Sequence, residues 1–205
     1  MNPAQLSAAA IRQAAEALRA GQVVAIPTDT VYGLAADPFQ PRAVESVFRL
    51  KGRAENRPIL LLVDSRRQAE SLAASLPPAF DALASRFWPG PLTLILRAAS
   101  HVPERITART GTVALRWPGS LLTRELIRAA RGPLTGTSAN RSGRPAAATA
   151  GQVGQQFFGQ LGYILDGGPA ATGLASTIVD LTGQPRVVRE GAIPSLAVLS
   201  FCQSP

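Results

Sequence analysis

Residues 23–38 read VVAIPTDTVYGLAADP, and the interpretation of the rest of the chain starts from this stretch. Its first four residues, Val23 to Ile26, have the length and the β-branched content of a buried strand. Pro27 has no backbone N–H to donate to a neighbouring strand, so the strand is expected to end or bulge there. The next three residues, Thr28 to Thr30, supply oxygen-bearing side chains in a row. They either close a turn on their own backbone or face a ligand at a strand end, where α/β sheets hold substrates.

The length and composition predict one globular domain with a sizeable core. The chain has 205 residues, of which 46% are hydrophobic and 17% charged. No apolar run approaches the roughly 20 residues that cross a bilayer, and the first residues lack the features of a signal peptide, so we expect a cytoplasmic protein. A single cysteine, Cys202, and a single histidine, His101, exclude an internal disulfide and leave too few ligands for a Cys- or His-based metal site.

The positive charge has one distinctive feature. The net charge of +8 and the pI of about 11.3 suit a nucleic acid or a phosphate, but the basic residues are spread along the chain and aromatic residues make up only 5%. Twenty of the 21 basic residues are arginine, and the exception is Lys51. Either this lysine occurs by chance at a surface position, or its position requires a compact ammonium group instead of a planar guanidinium.

Helical and strand patterns alternate along the chain. Helices are predicted at 7–20, 43–50, 66–75, 78–87, 121–130 and 149–158. Strands are predicted at 23–26, 58–63, 92–96, 112–116, 133–137, 163–165 and 177–179, with a hairpin to 186–189. The uninterrupted apolar run 58–63 indicates a central strand covered on both faces. The fold class is therefore α/β with a mixed sheet, as one domain over 1–205 with a core of about 7–194 and a tail at 195–205.

Polar segments recur at the ends of these strands. They are Lys51 with Arg53 and Arg57, Arg116, the loop 135–145, Ser176-Thr177, and Arg189. Each alone is explained by capping, turns or surface charge. Together, hydroxyls, exposed backbone and fixed cations are what a phosphate or nucleotide requires, although no standard phosphate-binding motif is present. Residues 136–140 only approach a serine-hydrolase elbow, for which His101 is the sole candidate base.

Five ordered blocks in this sequence resemble the YrdC/Sua5 family of threonylcarbamoyl-AMP synthases. The blocks are PTDTVYGL at 27–34, KGR at 51–53, TSANRSG at 137–143, STIVD at 176–180 and REG at 189–191. The resemblance covers roughly 21–193. It implies a twisted α/β sheet with a basic concave face, and it matches the short, single-domain form of the family.

The resemblance also implies a reaction. L-Threonine, bicarbonate and ATP would give threonylcarbamoyl-AMP and pyrophosphate, and the product would serve the N6-threonylcarbamoylation of adenosine 37 (t6A) in tRNA, with a transferase or the tRNA as partner. Such a nucleotidyl transfer requires alignment and cations, with no covalent nucleophile. Mg²⁺ is expected on the nucleotide, held mainly by phosphates and water, with no metal bound by the protein itself.

The family pattern assigns residues to each half of this reaction. The threonine-binding set is Thr30, Tyr32, Arg116, Thr137 and Ser176. The nucleotide-binding set is Lys51, Arg53, Arg57, Ser138, Asn140, Arg144 and Arg189, of which Lys51 and Arg53 are also assigned to catalysis. Two positions depart from the pattern, since Arg57 stands where asparagine is frequent and Leu62 where a histidine is common.

Two other functions remain open from the sequence. A module that binds double-stranded RNA or tRNA would suit the charge, and its affinity would fall steeply with salt without depending on threonine. A paralogue with another carbamoyl or acyl substrate, such as the domain used in hydrogenase maturation, would share the fold. That role normally comes with fused cysteine-rich segments.

Overall fold

The fold was analysed in a computed structural model that describes residues 3–54 and 56–201. The helices are α1 (Pro3–Arg19), α2 (Pro41–Lys51), α3 (Arg66–Leu72), α4 (Pro78–Phe87), α5 (Glu104–Thr107), α6 (Leu121–Ala130), α7 (Ala150–Gln156) and α8 (Ser195–Leu199). The strands are β1 (Val24–Ile26), β2 (Gly33–Ala35), β3 (Leu61–Leu62), β4 (Leu92–Arg97), β5 (Thr112–Arg116), β6 (Leu134–Thr135), β7 (Thr137–Ser138), β8 (Tyr163–Ile164), β9 (Thr177–Asp180) and β10 (Arg186–Arg189). The predicted α/β class is confirmed, and both sheets are mixed.

The larger sheet has six strands in the order β10-β9-β4-β5-β3-β6. Successive residues of a strand point to opposite faces, and here one face is mainly apolar, with two buried threonines, Thr135 and Thr177. Its core-facing residues are Leu61, Val63, Leu92, Leu94, Leu96, Val113, Leu115 and Val179, each at most 1% exposed. The opposite face carries the alternate residues, including Thr93, Ile95, Ala114 and Arg116, which line a cavity. The period of two therefore divides this sheet into a core face and a ligand-accessible face.

The smaller sheet has four strands in the order β7-β2-β1-β8. The two sheets meet at Thr135 and Gly136, where the chain passes from β6 of one sheet to β7 of the other. The Thr135 hydroxyl accepts a hydrogen bond from the Ala36 N–H at 2.9 Å, and the Gly136 N–H donates to the Leu60 carbonyl at 2.7 Å. A Cβ at position 136 would lie 2.7 Å from Leu62 Cγ. Glycine thus allows the close approach that joins the sheets.

Most predicted elements are present, with shifted ends. The strand predicted over 133–137 is in fact two strands, because it changes sheet at Gly136. Within the apolar run 58–63, only Leu61 and Leu62 form strand pairs. Both residues are buried, and β3 pairs with β5 on one side and with β6 on the other, so the predicted central position is confirmed. Strand β2 was not predicted, because Gly33–Ala35 is short and lies within the polar stretch. Helices α5 and α8, which have four and five residues, were also missed.

Two features of the sequence analysis lie outside the described residues. They are Cys202 and the end of the tail predicted for 195–205. Across residues 3–54 and 56–201, no helix has both the length and the apolar character needed to cross a membrane.

The sheet junction can be tested with Gly136→Ala. The added methyl group would press on Leu62, which is 1% exposed and closely packed. We expect the free energy of unfolding to fall by about 1–3 kcal/mol, the usual cost of overpacking, as measured by urea denaturation. Gly132→Ala is the matched control, because a Cβ there meets nothing within 4 Å, and it should change stability by no more than about 0.5 kcal/mol. Equal stability of the two variants would contradict this account of the junction.

Candidate active site

A cavity of about 360 Å³ lies on the open face of the larger sheet, below the 28–33 stretch that follows β1. Its apolar lining comes mainly from β3, β4 and β9, through residues such as Leu62, Ile95 and Ile178. Its polar lining brings together hydroxyls and cations from seven separate segments: Thr28, Thr30, Tyr32, Arg53, Thr93, Arg116, Thr137, Ser138, Ser176 and Arg189. Eight of these ten were predicted from the sequence, and the additional ones are Thr28 and Thr93.

The three polar residues of the opening stretch have two different roles. Thr28 closes its own turn, since its hydroxyl accepts from the N–H groups of Thr30 (3.2 Å) and Val31 (3.3 Å) and donates to the Val31 carbonyl (2.6 Å). Asp29 and Thr30 instead reach across to Arg116 on β5. The turn interpretation is therefore correct for Thr28, and the interpretation that this stretch faces a ligand stays a prediction.

Arg116 is the buried cation of the site, with only 4% of its side chain exposed. Its Nε donates to the Gly90 carbonyl at 3.0 Å, Nη1 to the Thr30 hydroxyl at 2.9 Å and Nη2 to Asp29 Oδ1 at 2.6 Å. Burial lowers the pKa of the Arg116 guanidinium and the Asp29 carboxylate opposes that shift. A guanidinium has five N–H donors, so two remain without a partner among the described residues, at the wall of the cavity.

A second polar cluster lies at the start of β9. The Ser176 hydroxyl is 2.8 Å from that of Thr93, and Arg189 on β10 donates to the Ser176 carbonyl at 2.8 Å through Nη2 and 3.2 Å through Nε. Burial and the positive charge of Arg116 lower the pKa of Arg189. The sequence predicts Thr93 only as a strand residue. The alternation in 92–96 would have placed its side chain on the face opposite the three leucines.

Lys51 is buried, with 4% of the residue exposed, so the surface interpretation of this lone lysine is wrong. Its ammonium group donates to the Ser138 carbonyl at 2.5 Å, the Asn140 carbonyl at 2.9 Å and Asn140 Oδ1 at 3.1 Å. Burial and the positive charge of Arg53 lower the pKa of Lys51 to about 8. Three acceptors around one point suit an ammonium group better than a planar guanidinium. Lys51 therefore holds the loop that carries Ser138 and Asn140, and it does not itself line the cavity.

Tyr32 and Arg53 both line the cavity. The Tyr32 hydroxyl donates to the Gly168 carbonyl at 2.8 Å, accepts from the Gly167 N–H at 3.2 Å and lies 3.2 Å from Asp166 Oδ1. It therefore anchors the turn at 166–168, and burial raises its pKa. Arg53 donates to the Pro58 carbonyl at 2.8 Å, and its buried Nε has no partner in the part of the chain that the structure describes.

Several other predicted residues are not part of the cavity wall. Arg57 and Arg144 are exposed and do not line it, whereas Asn140 lies behind Ser138, whose hydroxyl donates to Asn140 Oδ1 at 2.6 Å. Leu62, at the position where a histidine was expected, lines the cavity. His101 stacks on Phe39 at 6.2 Å between ring centroids and is outside the site, so the serine-hydrolase interpretation is wrong.

The charge of the lining favours an anionic ligand. Among the described residues, no aspartate or glutamate lines the cavity and there is no group of three or more metal-ligating side chains. Arg53, Arg116 and Arg189 all have a lowered pKa, mainly because burial disfavours their charged forms, and a neighbouring cation adds to this effect at Arg53 and Arg189. A bound carboxylate or phosphate would supply the missing negative charge.

Comparisons with known proteins agree with this chemistry. A family model for Sua5, YciO and YrdC, described as "Telomere recombination", matches residues 16–191. The threonylcarbamoyl-AMP synthase of Pyrococcus abyssi is 42% identical over 185 residues, which make up 90% of this chain and 54% of that protein. A Pseudomonas putida protein of the same name is 41% identical over 182 residues, or 88% of this chain and 97% of that protein.

A solved structure shows the same fold. P. abyssi Sua5 complexed with L-threonine superimposes with a TM-score of 0.91 and 40% identity, covering 93% of this chain and 56% of that one. The chain thus spans about half the length of the P. abyssi protein. The family model and the similarity to the Pseudomonas protein confirm the resemblance inferred from the five sequence blocks: the chain belongs to the Sua5/YciO/YrdC family.

Proposed function

We propose that this protein is a threonylcarbamoyl-AMP synthase, which converts L-threonine, bicarbonate and ATP to threonylcarbamoyl-AMP and pyrophosphate. The observation that carries the proposal is the buried Arg116 beside the Thr30 hydroxyl, in a cavity whose described lining residues include no carboxylate. A cation and a hydroxyl side by side complement the carboxylate and polar groups of a small hydroxy amino acid. The name of the P. abyssi relative and its complex with L-threonine support the same substrate.

The reaction requires alignment of three reactants more than it requires a reactive side chain. The threonine amine attacks the carbon of bicarbonate, and the C–N bond of a carbamate forms as a C–O bond breaks and water leaves. A carbamate oxygen then attacks the α-phosphorus of ATP. The new P–O bond forms as the bond to the β-phosphate oxygen breaks, and the electron pair leaves with pyrophosphate. Negative charge moves onto the leaving group, where fixed cations lower the barrier. Arg53 and Arg189 both line the cavity and are suited to that role.

The nucleotide half of the site is assigned to the 137–140 segment and to Arg53. Ser138 presents its hydroxyl at the cavity, and Lys51 fixes this segment from behind through three hydrogen bonds. Mg²⁺ enters with ATP as part of the substrate, held by phosphate oxygens and water, and the described lining residues include no carboxylate. Direct catalytic roles for Lys51 and Arg53, and nucleotide contacts of Arg57 and Arg144, remain predictions.

The product has a defined destination in this proposal. Threonylcarbamoyl-AMP is a mixed anhydride that would donate its threonylcarbamoyl group to adenosine 37 of tRNA, either on the tRNA itself or through a t6A transferase. We infer that this takes place in the cytoplasm. The net charge of +8 suits a transient encounter with tRNA.

The experiment that tests the proposal is pyrophosphate release from ATP, with threonine and bicarbonate each omitted in turn. We expect release only when all three substrates are present, together with a threonine-containing adenylate that mass spectrometry identifies. Pyrophosphate release that is independent of threonine would overturn the proposal.

The same assay separates the two other functions. Dependence on a different carbamoyl or acyl donor would identify a paralogue. Salt-sensitive binding of double-stranded RNA or tRNA without any adenylate formation would identify an RNA-binding module.

Lys51 provides a prediction on pH. Below its pKa of about 8 the ammonium group supplies three N–H donors to the 138–140 segment, and above it the neutral amine supplies two and no charge. Nucleotide affinity should therefore fall as the pH rises through about 8. Equilibrium binding of ATP, measured by calorimetry from about pH 7 to 9.5, separates this effect from titration of the threonine amine.

Lys51→Arg is the matched variant for that titration. A guanidinium keeps its charge over this range but cannot occupy the same point, so ATP binding should be weaker throughout and show no inflection near pH 8. Turnover should fall about tenfold in Lys51→Arg and about 10²-fold in Lys51→Ala, as for loss of a preorganised donor. Wild-type affinity in the arginine variant, or a flat pH profile in the wild type, would contradict the assigned role.

A further inference from the structure

Asp29 lies next to the site without lining the cavity, and the family resemblance gave it no role. Its Oδ1 accepts from Arg116 Nη2 at 2.6 Å and from the Gly119 N–H at 3.0 Å. Its other carboxylate oxygen, Oδ2, is buried and has no hydrogen-bond partner among the described residues. Asp29 thus pairs with one cation through Oδ1 alone, and its buried Oδ2 is left without a hydrogen bond from the described residues, which is energetically unfavourable.

Gly119 makes room for this carboxylate. A Cβ at position 119 would lie 3.1 Å from both Asp29 Cγ and Oδ2 and 3.3 Å from Asp29 Cβ. The backbone of Gly119 does not have a positive φ, so glycine is not required there by its conformation. The open space at Gly119 allows the carboxylate to approach the loop after β5 and to accept the Gly119 N–H.

The orientation of Arg116 depends on its three acceptors. Two of them, the Gly90 carbonyl and the Thr30 hydroxyl, are neutral, and the third is the Asp29 carboxylate. A hydrogen bond between charged partners is roughly twice as strong as one between neutral groups. Asp29 therefore has the largest influence on the plane of the guanidinium, and so on the direction of its two N–H groups that have no partner within the described chain.

We propose that Asp29, seated by Gly119, is a positioning residue for the amino-acid half of the reaction: it aims the free N–H groups of Arg116 at the carboxylate of the amino acid substrate. This inference rests on the proposed function. It predicts a specific kinetic signature, because the Asp29 carboxylate touches Arg116 and not the 138–140 segment. Loss of Asp29 should weaken binding of threonine and leave binding of ATP unchanged.

The test compares Asp29→Ala, Asp29→Asn and Gly119→Ala. Asp29→Ala should raise the KM for threonine about tenfold or more, the loss expected for one charge-assisted hydrogen bond, with the KM for ATP within about twofold of wild type. Asp29→Asn retains one acceptor oxygen and should recover part of the loss. Gly119→Ala should raise the KM for threonine without altering any group that lines the cavity.

Asp64→Ala is the matched control. Asp64 also pairs with an arginine, Arg128, at 3.3 Å, and its side chain is 19% exposed against 18% for Asp29, but Arg128, unlike Arg116, does not line the cavity. This variant should keep the threonine KM of the wild type. Calorimetric binding of L-threonine to each folded variant gives a readout that does not depend on turnover.

The outcomes distinguish this inference from the proposed function. An unchanged threonine KM in both Asp29→Ala and Gly119→Ala, with the wild type active, would overturn the positioning role alone. An equal rise of the KM values for threonine and ATP would also overturn it, because that would indicate general damage. Absence of threonine-dependent activity and of threonine binding in the wild type would overturn both.

Discussion

The buried guanidinium of Arg116 is the interaction on which the rest of the site depends. A charge with 4% of its side chain exposed is costly unless it is paired and hydrogen-bonded, and here three acceptors come from two parts of the chain: Gly90 before β4, and the adjacent Asp29 and Thr30 after β1. This one side chain therefore ties the 28–30 stretch of the smaller sheet to the centre of the larger one. Removing any of its partners would leave a buried charge unsatisfied, so the arrangement of the opening stretch and the chemistry of the site are stabilised by the same contacts.

Arg116 lies on the face of the larger sheet that is turned away from the core and lines the cavity. Strict alternation along β4 and β5 places leucine and valine on the core side and threonine, isoleucine, alanine and arginine on the cavity side. The two sheets join at Gly136, so the hydroxyls at 137 and 138 emerge beside the residues of β3. The Tyr32 hydroxyl stabilises the turn at 166–168 by hydrogen bonds. The cavity is thus enclosed by short segments whose own polar groups are largely paired within the protein.

Much of this was predictable from the sequence, for identifiable reasons. Helix α6 and strand β5 have the predicted bounds, because their periodicity is strong and Pro118 separates them. The change of sheet at Gly136 was not predictable, since it depends on a contact with Leu62, which is 74 positions earlier. The sequence shows Asp29 in the polar stretch, but its pairing with Arg116 could not be predicted because the two residues are 87 positions apart. The burial of Lys51 could be suspected from composition alone, whereas its three acceptors become evident only from the folded loop.

The central claim is that Arg116 and Thr30 hold the amino acid substrate. The measurement that tests it most directly is a crystal structure of this protein with L-threonine bound. The account predicts that the threonine carboxylate lies about 3 Å from a terminal nitrogen of Arg116, with Asp29 still paired to the same guanidinium. A threonine carboxylate bound instead by Arg53 or Arg189, with no contact to Arg116, would contradict it.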